Sequence, residues 1–118
     1  MAGRNVTYLS EANLITCVLQ TGVAENVLAA AKNCGAQGAT ISYGRGTGIR
    51  ERMGLLGVTI DEQKEVIRII VSEEQADRVF EAMYLAGGLD TPGKGIMFMT
   101  KLDRVATYIP ESVLKEIA

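Results

Sequence analysis

A chain of 118 residues and 12.7 kDa is the size of one domain, and is long enough to bury a core without disulfide or metal staples. Its net charge of −2 and pI near 5.1 provide no basic face for nucleic acid, and the absence of His removes the commonest general base and metal ligand. With 47% hydrophobic residues but only 5% aromatic and no Trp, the core must be built from Ile, Val, Leu, Ala and Met.

No apolar run approaches the ~20 residues of a membrane span, and residues 1–12 lack a signal-peptide apolar region, so a cytoplasmic chain is expected. Residues 1–12 mix polar and apolar types without period and read as a loosely docked arm. Leu14–Leu19 (LITCVL) is a continuous apolar run suited to a buried first strand. After Thr21-Gly22, the three-and-four spacing of Val23, Val27, Ala30, Ala31 and Cys34 predicts a helix over 23–33, with Gly35 as a left-handed stop. Cys17 and Cys34 fall in these apolar stretches and are expected to be small buried thiols.

Ala39–Tyr43 alternates as a second strand, and Val66–Val71 (VIRIIV) is a β-branched third strand with Arg68 as its one charge. Ser72-Glu73-Glu74-Gln75 matches a capping box opening a helix to about Leu85, with Ala76, Val79, Phe80 and Met83 on one face. A glycine-rich turn at 87–95 follows, shaped by Pro92, then a fourth strand at Ile96–Met99, a short extended piece over 106–109 and a last helix over 111–117 behind Pro110. The order βαββαβ predicts an α+β ferredoxin-like sandwich, a four-stranded antiparallel sheet with both helices on one face. The strands are too continuously apolar for the other face to stand in water, so self-association through it is expected.

The stretch from Tyr43 to Lys64 departs from core composition. It places Gly44, Gly46, Gly48 and Gly54 within eleven residues, with Arg45, Arg50 and Arg52 among them. Glycines this dense suggest positive-φ turns or a backbone that lies close to a ligand, and a loop longer than ~12–15 residues is usually functional or disordered. Gly46 and Gly48 would let amides approach a base or ribose, Thr40 offers a hydroxyl, and Gly93, Lys94 and Gly95 can form an anion nest. From these residues alone, a tight turn with a solvated Lys is the favoured account of the last three.

LITCVL, the helix ending in CGAQGAT, the strand running into GRGTG, the long loop returning at Lys64, the glycine-rich turn before IMFM and LDRV occur in order over roughly residues 13–112. In that order and spacing the chain resembles the PII signal-transduction proteins. The resemblance implies a single PII-like domain over 1–118, with an arm at 1–12, a T-loop-like segment at 45–63, a B-loop-like turn at 87–95 and a C-terminal strand and helix at 106–118. It also implies a homotrimer with an effector cleft between neighbours, no catalytic residues, no metal ligands, and no obligatory cofactor. The implied effector-binding positions are Thr40, Gly46, Thr47, Gly48, Arg50, Lys64, Gly93, Lys94, Gly95 and Thr107, and the implied partner-binding positions are Arg45, Arg52, Leu55 and Leu56.

Several residues depart from the family pattern. Thr107 and Ile109 stand where arginines hold triphosphates, and Ile96 stands at the B-loop Lys position, with Lys94 two residues earlier. The long loop is shorter than in the family's nitrogen regulators, holds no acceptor Tyr, and has Arg50 near the position of the family's Gln for Mg-ATP and 2-oxoglutarate. These differences imply a divergent branch that takes a less charged adenine nucleotide (AMP, ADP, ATP or a cyclic form being the candidates) or another small effector. The implied target is a protein, with a membrane transporter and a metabolic enzyme both possible. The alternative is a trimeric assembly protein of the CutA type without a regulatory nucleotide. An enzyme is not expected, because the acids Glu51, Asp61, Glu62, Asp90 and Asp103 assemble no catalytic couple at a recognisable spacing.

Overall fold

Two periodicities organise residues 6–46 and 62–108, which this computed structural model describes. Period two sets the strands β1 (Tyr8–Leu9), β2 (Ala12–Gln20), β3 (Thr40–Gly46), β4 (Glu62–Ser72), β5 (Gly95–Leu102) and β6 (Val105–Ala106). The helical period sets α1 (Ala24–Asn33), between β2 and β3, and α2 (Glu73–Ala86), between β4 and β5. The strands β3-β4-β2-β5 form one sheet in that order, every neighbour antiparallel. This is the expected ferredoxin-like arrangement.

Odd-numbered positions of β2 and β4 turn to the helices. Ile15, Cys17 and Leu19 on β2 and Ile67, Ile69 and Val71 on β4 pack against Ala24, Val27 and Ala31 of α1 and Ala76, Val79 and Met83 of α2. Each Val, Leu, Ile or Met side chain among them contributes roughly 1.5–3 kcal/mol by leaving water, and each Ala less. Even-numbered positions face the other way. There Leu14, Val18 and Val66 are half-buried, while Ile70, Ile96 and Phe98 are 53%, 60% and 48% exposed, so one side of the sheet is an uncovered apolar surface.

The strands outrun the sequence expectation. β3 continues through Gly46 and β4 begins at Glu62, so Arg45 and Gly46 pair in the sheet with Gln63 and Glu62 instead of lying in the loop. The backbone ladder extends past the point where β-branched residues stop, because pairing needs only N–H and C=O groups. Within the stretch read as an arm, Tyr8 and Leu9 pair with Ala106 and Val105, and Ala12 is buried between Ser72 and Leu102 at the start of β2.

The capping box is corrected as well. Ser72 is the N-cap of α2 in extended conformation, but its hydroxyl makes no cap bond. The Glu73 N–H donates instead to the Glu11 carbonyl at 2.8 Å. The Gln75 amide does not reach back to Ser72. It lies beside Gly35, where a Cβ would meet Gln75 Nε2 at 3.0 Å. Gly35 has the expected left-handed φ of 100°. Of the sequence expectations, Thr47, Gly48, Arg50, Arg52, Leu55, Leu56, Ile109 and the helix at 111–117 lie outside the described residues.

Candidate functional site at the glycine-rich end of the sheet

β3 and β2 end, and β4 and β5 begin, at the same end of the sheet, and this places the two glycine-rich segments side by side. On β3, Gly44 is paired with Lys64, and the Lys64 stem runs over Gly46, where a Cβ would lie 3.5 Å from Lys64 Cγ. On the other side of β4, Lys64 is paired with Gln20, the last residue of β2. The Gln20 amide Nε2 donates to the Gly93 carbonyl at 2.8 Å. Gln20 therefore spans the gap between the root of the long loop and the glycine-rich turn.

The turn itself is shaped by its own backbone. Gly87 N–H donates to Met83 O, Gly88 N–H to Leu85 O and Leu89 N–H to Tyr84 O, which closes α2, and Thr91 bonds the Gly88 carbonyl through both its amide and its hydroxyl. Gly93, at φ 79°, and the side chain of Lys94 stand exposed at the tip. Gly95 has a separate reason to be glycine. Its φ is 151°, and a Cβ there would overlap the Val18 carbonyl oxygen, so β5 could not join β2 at this point with any side chain present.

Behind this end, the loop root is tied to α1. Glu65 is a core-facing acid, and its Oε1 accepts hydrogen bonds from the amides of Gly22 at 2.6 Å, Val23 at 3.1 Å and Ala24 at 3.2 Å. These are the unpaired donors of the α1 N-terminus, where a carboxylate also meets the positive end of the helix dipole. The Thr21 hydroxyl donates to the Gln63 carbonyl at 2.8 Å. The turn between β2 and α1 is thus bonded to the loop root by Thr21 and Glu65, and to the glycine-rich turn by Gln20.

The remaining expected positions fall elsewhere. Thr40 begins β3 and pairs with Arg68, six residues and so about 20 Å along the strand from Gly46. Arg68 Nη1 there donates to Ser42 Oγ at 3.2 Å. Thr107 is exposed just past β6, beyond the far end of β5, and Arg45 is exposed on the edge strand β3. One chain therefore brings together Gly46, Lys64, Gly93, Lys94 and Gly95, and does not bring Thr40 or Thr107 to them. An open depression of about 440 Å³, lined by Ser10, Glu11, Lys101, Leu102 and Asp103, also lies at the far end and includes none of the expected residues.

Gln20, Thr21 and Glu65 are residues that sequence reasoning missed. Glu65 left a signal: it shares the period-two face of Ile67, Ile69 and Val71, and an acid on a core face must find donors. Gln20 left none, since its partner is a backbone carbonyl 73 residues away. Burial pushes the Cys17 thiol from 9.0 up to about 12, which makes it an inert packing group. Among the described residues, no three His, Cys, Asp or Glu side chains are grouped to hold a metal ion, and no helix is long and apolar enough to cross a membrane.

Comparison with known proteins bears on the fold and the family. The family model described as "Nitrogen regulatory protein P-II" matches residues 12–111. A PII of Arabidopsis thaliana, solved bound to citrate, superposes with a TM-score of 0.61 at 19% identity, covering 80% of this chain and 79% of that one. GlnK of B. subtilis, solved as an ATP complex, superposes with a TM-score of 0.64 at 20% identity, covering 80% of this chain and 84% of that one. No curated protein matches.

Proposed function

Because this chain belongs to the P-II family, we propose that it is a homotrimeric regulator that binds an adenine nucleotide between neighbouring chains and controls a target protein through its long loop. The observation that carries the reading is the position of Gln20, paired with Lys64 on one side and bonded to Gly93 on the other. The loop root and the glycine-rich turn thus share one small surface, on which a phosphate can meet exposed Gly93 and the Lys94 ammonium. The B. subtilis GlnK–ATP complex and the citrate-bound Arabidopsis protein support an anionic small molecule as the effector.

In this reading Gly46, Thr47, Gly48, Arg50, Lys64, Gly93, Lys94 and Gly95 serve one effector from one chain, and Thr40 and Thr107 are supplied from a neighbour packed on the open sheet face. Thr107 is neutral, and charge-assisted hydrogen bonds are worth about 1.5–3 kcal/mol each, so a nucleotide with fewer phosphates than ATP is favoured. Arg45, Arg52, Leu55 and Leu56 serve the target, which is a membrane transporter or a metabolic enzyme. The nucleotide acts by preferring one loop conformation, since a ligand with equal affinity for both would shift nothing. No chemistry is performed on the ligand.

A thermal-shift screen of the purified protein against ATP, ADP, AMP, cyclic AMP, 2-oxoglutarate and citrate tests this. A nucleotide present at 100 times its Kd adds about 2.7 kcal/mol of stability. The expected result is an upward shift with AMP or ADP that Lys94→Ala reduces. An unchanged midpoint with every nucleotide at millimolar concentration overturns the nucleotide reading in favour of an assembly trimer without a ligand.

A further inference from the structure

The turn between β2 and α1 is not itself glycine-rich or charged, yet it is bonded in both directions. Toward one side Gln20 Nε2 donates to the Gly93 carbonyl at 2.8 Å. Toward the other, Thr21 Oγ1 donates to the Gln63 carbonyl at 2.8 Å, and Glu65 Oε1 takes the amides of Gly22, Val23 and Ala24. Gln63 and Glu65 lie at the start of β4, where the chain returns from the long loop, and Gly93 lies at the tip of the glycine-rich turn. The two segments are thus joined through the side chains of Gln20, at the end of β2, and Thr21, and through the amides of Gly22, Val23 and Ala24, all far from both segments in sequence.

We propose that residues 20–24 form the link through which the state of the glycine-rich turn reaches the root of the long loop, with Gln20 as the positioning residue. The inference rests on the proposed function only for what moves the turn, a bound anion; the link itself is made by hydrogen bonds within one chain. Gln20 has one amide, and its hydrogen bond holds only while the Gly93 carbonyl faces β2. A change of the turn that rotates this carbonyl releases Gln20. The neighbouring residue Thr21 then loses its fixed position under Gln63, and the first residues of β4 open more often. Coupling of this kind is an energy shared between two segments, so it is reciprocal and can be read from either end.

Hydrogen exchange of the full chain, read by mass spectrometry over segments 62–66 and 87–95, tests the link. The glycine-rich turn is loosened by Pro92→Gly, a change at an exposed position, without any ligand. The expected result is exchange over 62–66 faster by about fivefold, the scale of one hydrogen bond. In the Gln20→Ala background, Pro92→Gly is expected to have no further effect on 62–66. Thr21→Val, which keeps the Gln20–Gly93 bond and removes the one to Gln63, should block the effect equally. An effect of Pro92→Gly that persists undiminished in both backgrounds, or that is absent from the native chain, overturns the link.

Millimolar ADP supplies a separate arm. Slower exchange over both segments in the native chain, with the slowing over 62–66 smaller in Gln20→Ala while that over 87–95 is kept, shows the link carrying an effector signal beyond the direct contact of Lys64. Exchange unchanged by ADP at either segment counts against the nucleotide reading only, and the Pro92→Gly comparison still decides the link.

Discussion

A carboxylate turned into an aliphatic core must find donors, and Glu65 finds three at the start of α1. Glu65→Ala leaves those amides without their acceptor, and the expected cost is about 3 kcal/mol, measured as a lowered urea midpoint, with Glu65→Gln losing less because it keeps one oxygen. A change below about 0.5 kcal/mol for Glu65→Ala would show that the cap is replaced by water. Cys17 makes a prediction about pH. Its folded thiol titrates near 12 against 9.0 for the free group, so below pH 9 both states keep the proton and stability does not depend on it. As pH rises from 9 toward 12 the unfolded chain alone ionises, so stability falls; urea midpoints at pH 8 and at about 10.5 should diverge more for the native chain than for Cys17→Ala. Gly95→Ala should destabilise by on the order of 3 kcal/mol, because the new methyl group meets the Val18 carbonyl and the φ of 151° suits glycine alone. At this scale the sequence was legible where periodicity or charge marked a residue, as at Val27, Ala31, Val79 and Met83, which are all buried. It was silent where a side chain bonds a distant carbonyl: nothing local to Gln20 distinguishes it from any polar residue that ends a strand.

At the scale of elements, strands and helices were legible because their apolar residues repeat at the period of the structure that buries them, and the order βαββαβ followed. Element ends were not. β3 runs on through Gly44, Arg45 and Gly46, and β4 starts at Glu62, because a neighbouring strand supplies hydrogen bonds to residues with no propensity of their own. The start of α2 shows the same competition. Ser72 and Gln75 have the spacing of a capping box, but Ser72 is also the last paired residue of β4, the Glu73 amide is taken by Glu11, and Gln75 lies against Gly35. A Ser cap is typically worth about 1 kcal/mol. Here Ser72→Ala is expected to change stability by less than about 0.5 kcal/mol in urea unfolding, and a loss of 1 kcal/mol or more would show that the hydroxyl caps the helix in solution. The short strand β1 was illegible for another reason: two residues carry no period, and their partner β6 lies almost a hundred positions away.

For the whole molecule, the family and the ferredoxin-like fold were legible from the order of weak motifs, and the match over residues 12–111 agrees with them. The candidate site was only half legible, because Thr40 and Thr107 stand at the far end of the sheet from Gly46, Lys64 and Gly93, and a single chain does not unite them. In the proposed function the open sheet face, with Ile70, Ile96 and Phe98 uncovered, is the surface through which the trimer would close and bring a neighbour's Thr40 and Thr107 to the site. Phe98→Asp places a charge on that face, at a position not itself assigned to the effector, and is expected to give monomers by sedimentation. The most direct test of the account is calorimetric titration of ADP into the native protein and into Phe98→Asp, each first shown to be folded. The account predicts one nucleotide bound per chain in the native trimer and binding weakened by at least about tenfold in the monomer. Equal affinity in both would contradict it, because the site would then belong to one chain alone.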